Sequence, residues 1–181
     1  MVTGPSRSGK SELAEVLASQ LSESVTYVAT AAIDESDREW QARIEKHQQR
    51  RPSNWKTLTA STDLAACLEG ASTSECLLID SLGTWIANFM ESDRTQWQET
   101  SNRFLSSLKA TAATTILVSE ETGWGVVPAY PMGRLFRDRL GYLSCQVGNL
   151  ADITYLVAGG HVLNLSALGE PLSKYGIRSP N

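Results

Sequence analysis

The chain has 181 residues, 41% hydrophobic and 20% charged, with a formal net charge of −4. That length is enough for one well-buried core, and the composition is ordinary for a soluble globular protein. The acidic balance argues against a nucleic-acid-binding surface, which takes a basic excess, and no apolar run approaches membrane-spanning length.

Met1, Val2 and Thr3 alone precede the stretch Gly4-Pro5-Ser6-Arg7-Ser8-Gly9-Lys10-Ser11, which fits G-x-x-x-x-G-K-[ST]. A strand should lead into such a loop. Either it is cut to Met1–Thr3, or the initiation site is assigned too far downstream. After the loop, Leu13, Val16, Leu17 and Leu21 recur at helical spacing, and Val25–Thr30 reads as a buried strand. Asp37–Arg51 is predicted as a charged helix carrying Trp40 and Ile44 and ended by Pro52. A short strand in Asn54–Thr59 and a short helix over Leu64–Leu68 follow. Cys76–Asp80 is a strand, then come helical stretches with Trp85, Ile86 and Phe89 and with Phe104, Leu105 and Leu108. Thr114–Ser119 is the next strand. A Gly- and Pro-bearing loop leads to an amphipathic helix marked by Met132, Leu135, Phe136, Arg139, Leu140 and Leu143. Ile153–Gly159 reads as the last strand before a polar tail. Strands alternating with helices imply an α/β fold with a mostly parallel sheet, built as one domain over residues 1–181. Three scattered cysteines (Cys67, Cys76, Cys145) without a C-x-x-C, and no apolar leader, suit reduced thiols in the cytoplasm and no structural zinc.

The glycine-rich stretch carries chemistry. Its backbone N–H groups can cradle phosphates, Lys10 can reach the β- and γ-phosphates, and the Ser11 hydroxyl can hold Mg²⁺. The helix that follows adds its positive end. A plain Gly/Ser turn is the alternative. Pro5 removes one N–H, which the loop tolerates if that amide does not meet phosphate. Asp80, at the end of its strand, stands where phosphate-loop proteins hold the Mg²⁺ shell; otherwise it is a polar strand-end residue. Asp80-Ser81-Leu82-Gly83 also fits the D-x-x-G of switch GTPases, and Asn149-Leu150-Ala151-Asp152 their guanine-reading motif. Leu150 stands where that motif has lysine, and the segment precedes a strand instead of following one, so the switch reading is set aside.

The stretch Ala42–Trp55 holds one of only two histidines. On a helix, Arg43, His47 and Arg51 share one ridge, bordered by Arg50. The arginines could hold phosphate oxygens and keep His47 neutral and nucleophilic. Composition alone favours a solvated basic helix face with an incidental histidine.

Taken together, the segments resemble the bifunctional adenosylcobinamide kinase/adenosylcobinamide-phosphate guanylyltransferase family. "VTGPSRSGKS" matches its V-T-G-G-x-R-S-G-K-S, "YVAT" its Y-I-A-T, and "RIEKHQQRRP" its R-I-x-x-H-x-x-x-R-P. "WKT", "ETGWGVVP" and "FRDRLG" follow in the family's order, so the resemblance runs from Val2 to about Gly160. It implies a RecA-like phosphate-loop fold, a homotrimer and two reactions. ATP or GTP phosphorylates adenosylcobinamide, and GTP then gives GMP to that phosphate through a GMP-histidine. The histidine falls on His47. The resemblance also places Thr30, Ala31, Ala32, Gln48, Gln49, Arg50 and Arg51 near the guanine nucleotide, with Mg²⁺ at Ser11 and Asp80. Glu120, Glu121 and Gly123–Gly125 follow a strand's carboxyl end, where either a corrinoid contact or a structural turn would fit. His161 reads as a surface or strand-end residue. The chain departs from the family at Thr59, at Ser144-Cys145, in having Asp80 where some members carry Glu, in two extra residues between Ile33 and Arg43, and in the tail after Gly160. A kinase without guanylyl transfer and a nucleotide-binding regulatory module are the alternatives.

Overall fold

The structure, a computed structural model, describes residues 1–31 and 49–177. Its strands are β1 (Val2–Gly4), β2 (Val25–Ala29), β3 (Lys56–Thr59), β4 (Cys76–Asp80), β5 (Thr114–Glu120), β6 (Tyr155–Ala158) and β7 (His161–Asn164). Its α-helices are α1 (Lys10–Leu21), α2 (Leu64–Glu69), α3 (Leu82–Ala87), α4 (Arg94–Ala110), α5 (Pro131–Leu150) and α6 (Leu165–Leu168). The described strands form one sheet in the order β3-β2-β4-β5-β1-β6-β7, parallel throughout except for β7 against β6. This is the α/β, mostly parallel phosphate-loop architecture that the motifs imply.

The two-residue alternation of the strands divides the core. Leu77, Ile79, Val28 and Leu117 pack with Leu64, Leu68, Trp85, Phe104, Leu140 and Leu143 on the side of α2 to α5. Cys76, Leu78, Val25, Tyr27, Ile116 and Val118 face the other way, toward α1. There Ala14 and Ala18, four residues apart and fully buried, let α1 lie close to the strands. Because both faces are covered, the central strands are apolar nearly throughout.

The sequence-based boundaries differ from the observed ones most in two places. The helix expected around Met132–Leu143 runs from Pro131 to Leu150, with proline at the first turn, where its missing N–H costs nothing. The chain expected to run on as a tail after Gly159 instead turns back at Gly159 and Gly160, whose φ values are 58° and 74°, and returns as β7. Two glycines in left-handed conformation make the tight turn that suits a hairpin's twist. His161 opens β7, exposed, with Nδ1 2.9 Å from the Gly159 carbonyl oxygen. β1 is three residues long yet pairs with β5 on one side and β6 on the other. Most of the charged helix expected over Asp37–Arg51 lies outside the described residues; Gln49 and Arg50 are helical.

Candidate active site

The carboxyl ends of β1, β2, β4 and β5 converge on the loop that links β1 to α1. Gly4 ends β1 under the backbone of β6: a Cβ there would stand 2.3 Å from the Val157 carbonyl oxygen. Arg7 (φ 59°) and Gly9 (φ 95°) take left-handed conformations, which curl the loop around a hollow of backbone N–H groups. Pro5 has no N–H to offer the hollow, but its carbonyl ties the loop, accepting from the Ser8 N–H at 3.3 Å and from Lys10 Nζ at 3.3 Å. Lys10 is buried, so its ammonium is folded back onto the loop. Ser6 and Arg7 are exposed at the rim, and the Ser8 hydroxyl is buried with no partner among the described residues.

Below the loop, Ser11 Oγ donates to Asp80 Oδ1 at 3.4 Å and the Tyr27 hydroxyl to Oδ2 at 3.2 Å. Burial pushes the Asp80 carboxyl above the ordinary carboxylate range; the Ser11 and Tyr27 bonds and the charges of Lys10 and Arg51 pull it back. A buried carboxylate beside a hydroxyl, under a phosphate cradle, fits Mg²⁺, which binds through one or two carboxylates while phosphates and water fill its other positions. No group of three His, Cys, Asp or Glu side chains could hold a metal unaided among the described residues.

The turn after Asp80 is braced from two strands. Thr30, fully buried, donates from Oγ1 to the Ser81 carbonyl oxygen at 2.8 Å and accepts from the Ser81 N–H at 2.9 Å. Glu120, at the end of β5, accepts from Ser81 Oγ and from the Gly83 N–H at 2.9 Å. A Cβ on Gly83 would lie 2.3 Å from the Glu120 carboxylate. The glycine of the D-x-x-G stretch therefore has a packing reason. Glu121 accepts from Thr3 Oγ1 at 3.0 Å, and its N–H donates to the Gly4 carbonyl at 2.9 Å, joining β5 to the loop. Beyond it, Trp124, Val126, Val127 and Tyr130 are exposed.

The arginines after position 48 reach the site from the other side. Arg50 pairs with Glu12 and, at 3.2 Å, with Glu15 on α1. Arg51 lays its guanidinium 3.3 Å from the centre of the Tyr27 ring, and its Nε is buried with no partner among the described residues. Of the residues singled out from sequence, the loop Gly4–Ser11, Asp80, Thr30, Arg50 and Arg51 come together. Ala31 is half-buried beside Thr30, and Gln49 is exposed. Ala32, His47 and Gln48 lie outside the described residues. Sequence reasoning missed Tyr27, Glu12, Glu15 and the bracing role of Glu120. The tyrosine stood in the "YVAT" match without a role of its own.

The family described as cobinamide kinase/cobinamide phosphate guanyltransferase matches residues 1–165. The bifunctional adenosylcobalamin biosynthesis protein CobP of Pseudomonas aeruginosa is 38% identical over 175 residues, covering 95% of this chain and 98% of that protein. The CobU proteins of the same description from Escherichia coli and Salmonella typhimurium are 33% and 30% identical, each covering 88% of this chain and 95% of the relative. No helix among the described residues is long and apolar enough to cross a membrane.

Proposed function

Because the chain belongs to the cobinamide kinase/cobinamide phosphate guanyltransferase family, we propose that it phosphorylates adenosylcobinamide and then guanylylates the product to adenosyl-GDP-cobinamide. The observation that carries this reading is the phosphate loop: Lys10 is sequestered on the Pro5 carbonyl, and the Ser11–Asp80 pair lies below, in a chain matched along residues 1–165.

In the first reaction the loop N–H groups hold the β- and γ-phosphates of ATP or GTP. Lys10 exchanges the Pro5 carbonyl for phosphate oxygens, a stronger, charge-assisted contact. The aminopropanol hydroxyl oxygen bonds to the γ-phosphorus and gives up its proton to water as the bond to the β-phosphate oxygen breaks and the nucleoside diphosphate leaves. Ser11 and Asp80 would hold Mg²⁺, which offsets negative charge on the phosphates when bound. In the second reaction His47 attacks the α-phosphorus of GTP, pyrophosphate leaves, and an oxygen of adenosylcobinamide phosphate takes GMP from the imidazole. A covalent intermediate splits the transfer into two in-line displacements. The reading of His47 rests on the family resemblance. It is supported by Arg50 and Arg51, which dock the chain just after it against α1 and β2. The corrinoid is assigned to the side of the exposed Trp124, Val126 and Val127, beyond the end of β5.

Incubation with α-labelled GTP tests the proposal. The wild-type protein should take up acid-labile, base-stable label, and His47→Ala should not. Label retained by His47→Ala, or mapped to Lys46, would overturn it. The enzyme is further assigned to the cytoplasm, from its three scattered cysteines, and, by resemblance, to a homotrimer. The exposed apolar residues of β7 and α6, Val162, Leu163, Leu165 and Leu168, supply a surface for subunit contact. Sedimentation showing a stable monomer at working concentration would refute the trimer.

A further inference from the structure

The geometry points to Tyr27 as a positioning residue that serves both half-reactions at once, aligning Asp80 for the cation through its hydroxyl and holding Arg51 over the nucleotide site through its ring. Two contacts meet on this side chain. Its hydroxyl donates to Asp80 Oδ2 at 3.2 Å, while Oδ1 is left to Ser11. The Arg51 guanidinium lies over its ring face, 3.3 Å from the centre, a cation–π contact. Arg51 Nε is buried and has no hydrogen-bond partner among the described residues. Tyr27 itself is buried, in the middle of β2, and cannot wander.

The arrangement has a chemical logic. A carboxylate that offers one oxygen to a cation is held at a fixed angle when a donor pins its other oxygen, and such outer contacts govern metal affinity. An arginine laid flat on an aromatic ring is fixed in plane, which orders its donors before phosphate arrives. Glu15 pairs with Arg50, the neighbouring residue, at 3.2 Å and also feels the charge of Arg51. Tyr27 thus ties the cation site to the segment that follows His47. Three residues further on, just past the end of β2, Thr30 braces the Ser81 turn.

This inference rests on the proposed function, and the test keeps the two apart. Wild-type protein that takes up no label from α-labelled GTP would sink that function and, with it, the part played by Arg51. With wild type labelling, three variants are compared: Tyr27→Phe, Tyr27→Leu and Arg51→Leu. Mn²⁺ binding in the presence of GDP, followed by electron paramagnetic resonance, reads the cation site without turnover. Tyr27→Phe should weaken Mn²⁺ binding roughly tenfold, within the range for lost outer-shell contacts. Its labelling should recover as Mg²⁺ is raised, because the ring still carries Arg51. Arg51→Leu should slow labelling about tenfold or more while Mn²⁺ affinity falls less than in Tyr27→Phe, as for loss of a charge-assisted phosphate contact. Tyr27→Leu should combine both defects, and Mg²⁺ should not rescue it. Unchanged Mn²⁺ affinity in Tyr27→Phe would overturn the hydroxyl's role. Labelling at the wild-type rate in Arg51→Leu would overturn the ring's. Should Tyr27→Leu fail to fold, the other two variants still decide each half.

Discussion

Replacing Gly83 with alanine separates two explanations of the Asp80-Ser81-Leu82-Gly83 stretch. If the glycine served a γ-phosphate, as in a switch, Gly83→Ala would damage nucleotide handling whatever stood at position 120. In the structure the position is tight because the Glu120 carboxylate would lie 2.3 Å from the new Cβ. Glu120 would swing aside and give up its bonds from Ser81 Oγ and the Gly83 N–H. Two charge-assisted bonds at about 1.5 kcal/mol each, less about 1 kcal/mol that alanine gains over glycine in a helix, leave about 2 kcal/mol of lost stability. For a chain of this size that lowers Tm by roughly 4–8 °C. In a Glu120→Ala background the clash and both bonds are already gone. There Gly83→Ala should be neutral or stabilising by up to about 1 kcal/mol, through helix preference alone. Urea unfolding of the four proteins in the cycle gives the coupling directly. An equal loss from Gly83→Ala in both backgrounds would refute the reasoning.

Lys10→Ala should abolish both phosphoryl and guanylyl transfer while leaving the circular dichroism spectrum unchanged; kinase turnover near wild type would count against the loop assignment. Asp80→Asn should raise the Tm of the nucleotide-free protein at neutral pH while activity is lost. Burial raises the folded-state pKa of Asp80, so ionising it opposes folding. That burden is absent below the unfolded-state pKa and grows as pH rises through the folded one. The advantage of Asn should therefore shrink on acidification, and a constant difference across that range would contradict the assignment. Trp85→Ala should cost about 3–5 kcal/mol in urea unfolding, since Trp85 is fully buried against Phe89, Trp97 and Phe104 with ring centres 5.0–5.8 Å away. A loss under about 1 kcal/mol would mean that this cluster is not the centre of the core.

What was legible in the chain is what short spacing controls. The phosphate loop is eight consecutive residues, Gly4–Ser11, and its backbone conformation follows from glycines and a lysine at fixed intervals. The buried parallel strands were visible as short apolar runs, and α5 as an amphipathic repeat. The β6–β7 hairpin was also written locally, in Gly159-Gly160, but a polar run after an apparent last strand reads as tail. The family resemblance then assigned His47 and the arginines a chemistry that composition left open.

The tertiary structure decided which distant residues meet. Asp80 reaches Tyr27 across 53 positions because β2 and β4 are neighbours in register with their carboxyl ends level, and Ser11 across 69 because α1 packs on β4. No local pattern encodes that adjacency, since any parallel strand order would satisfy the same apolar runs. The same holds for Glu120. Its sequence position marks only a strand end, yet pairing of β5 with β4 brings its carboxylate onto Gly83 and makes a glycine necessary there. Arg51 appeared as one charge in a basic run. Packing of its segment against α1 and β2 put it on the Tyr27 ring, because a guanidinium gains most where a flat aromatic face and a nearby carboxylate lie within one side-chain length.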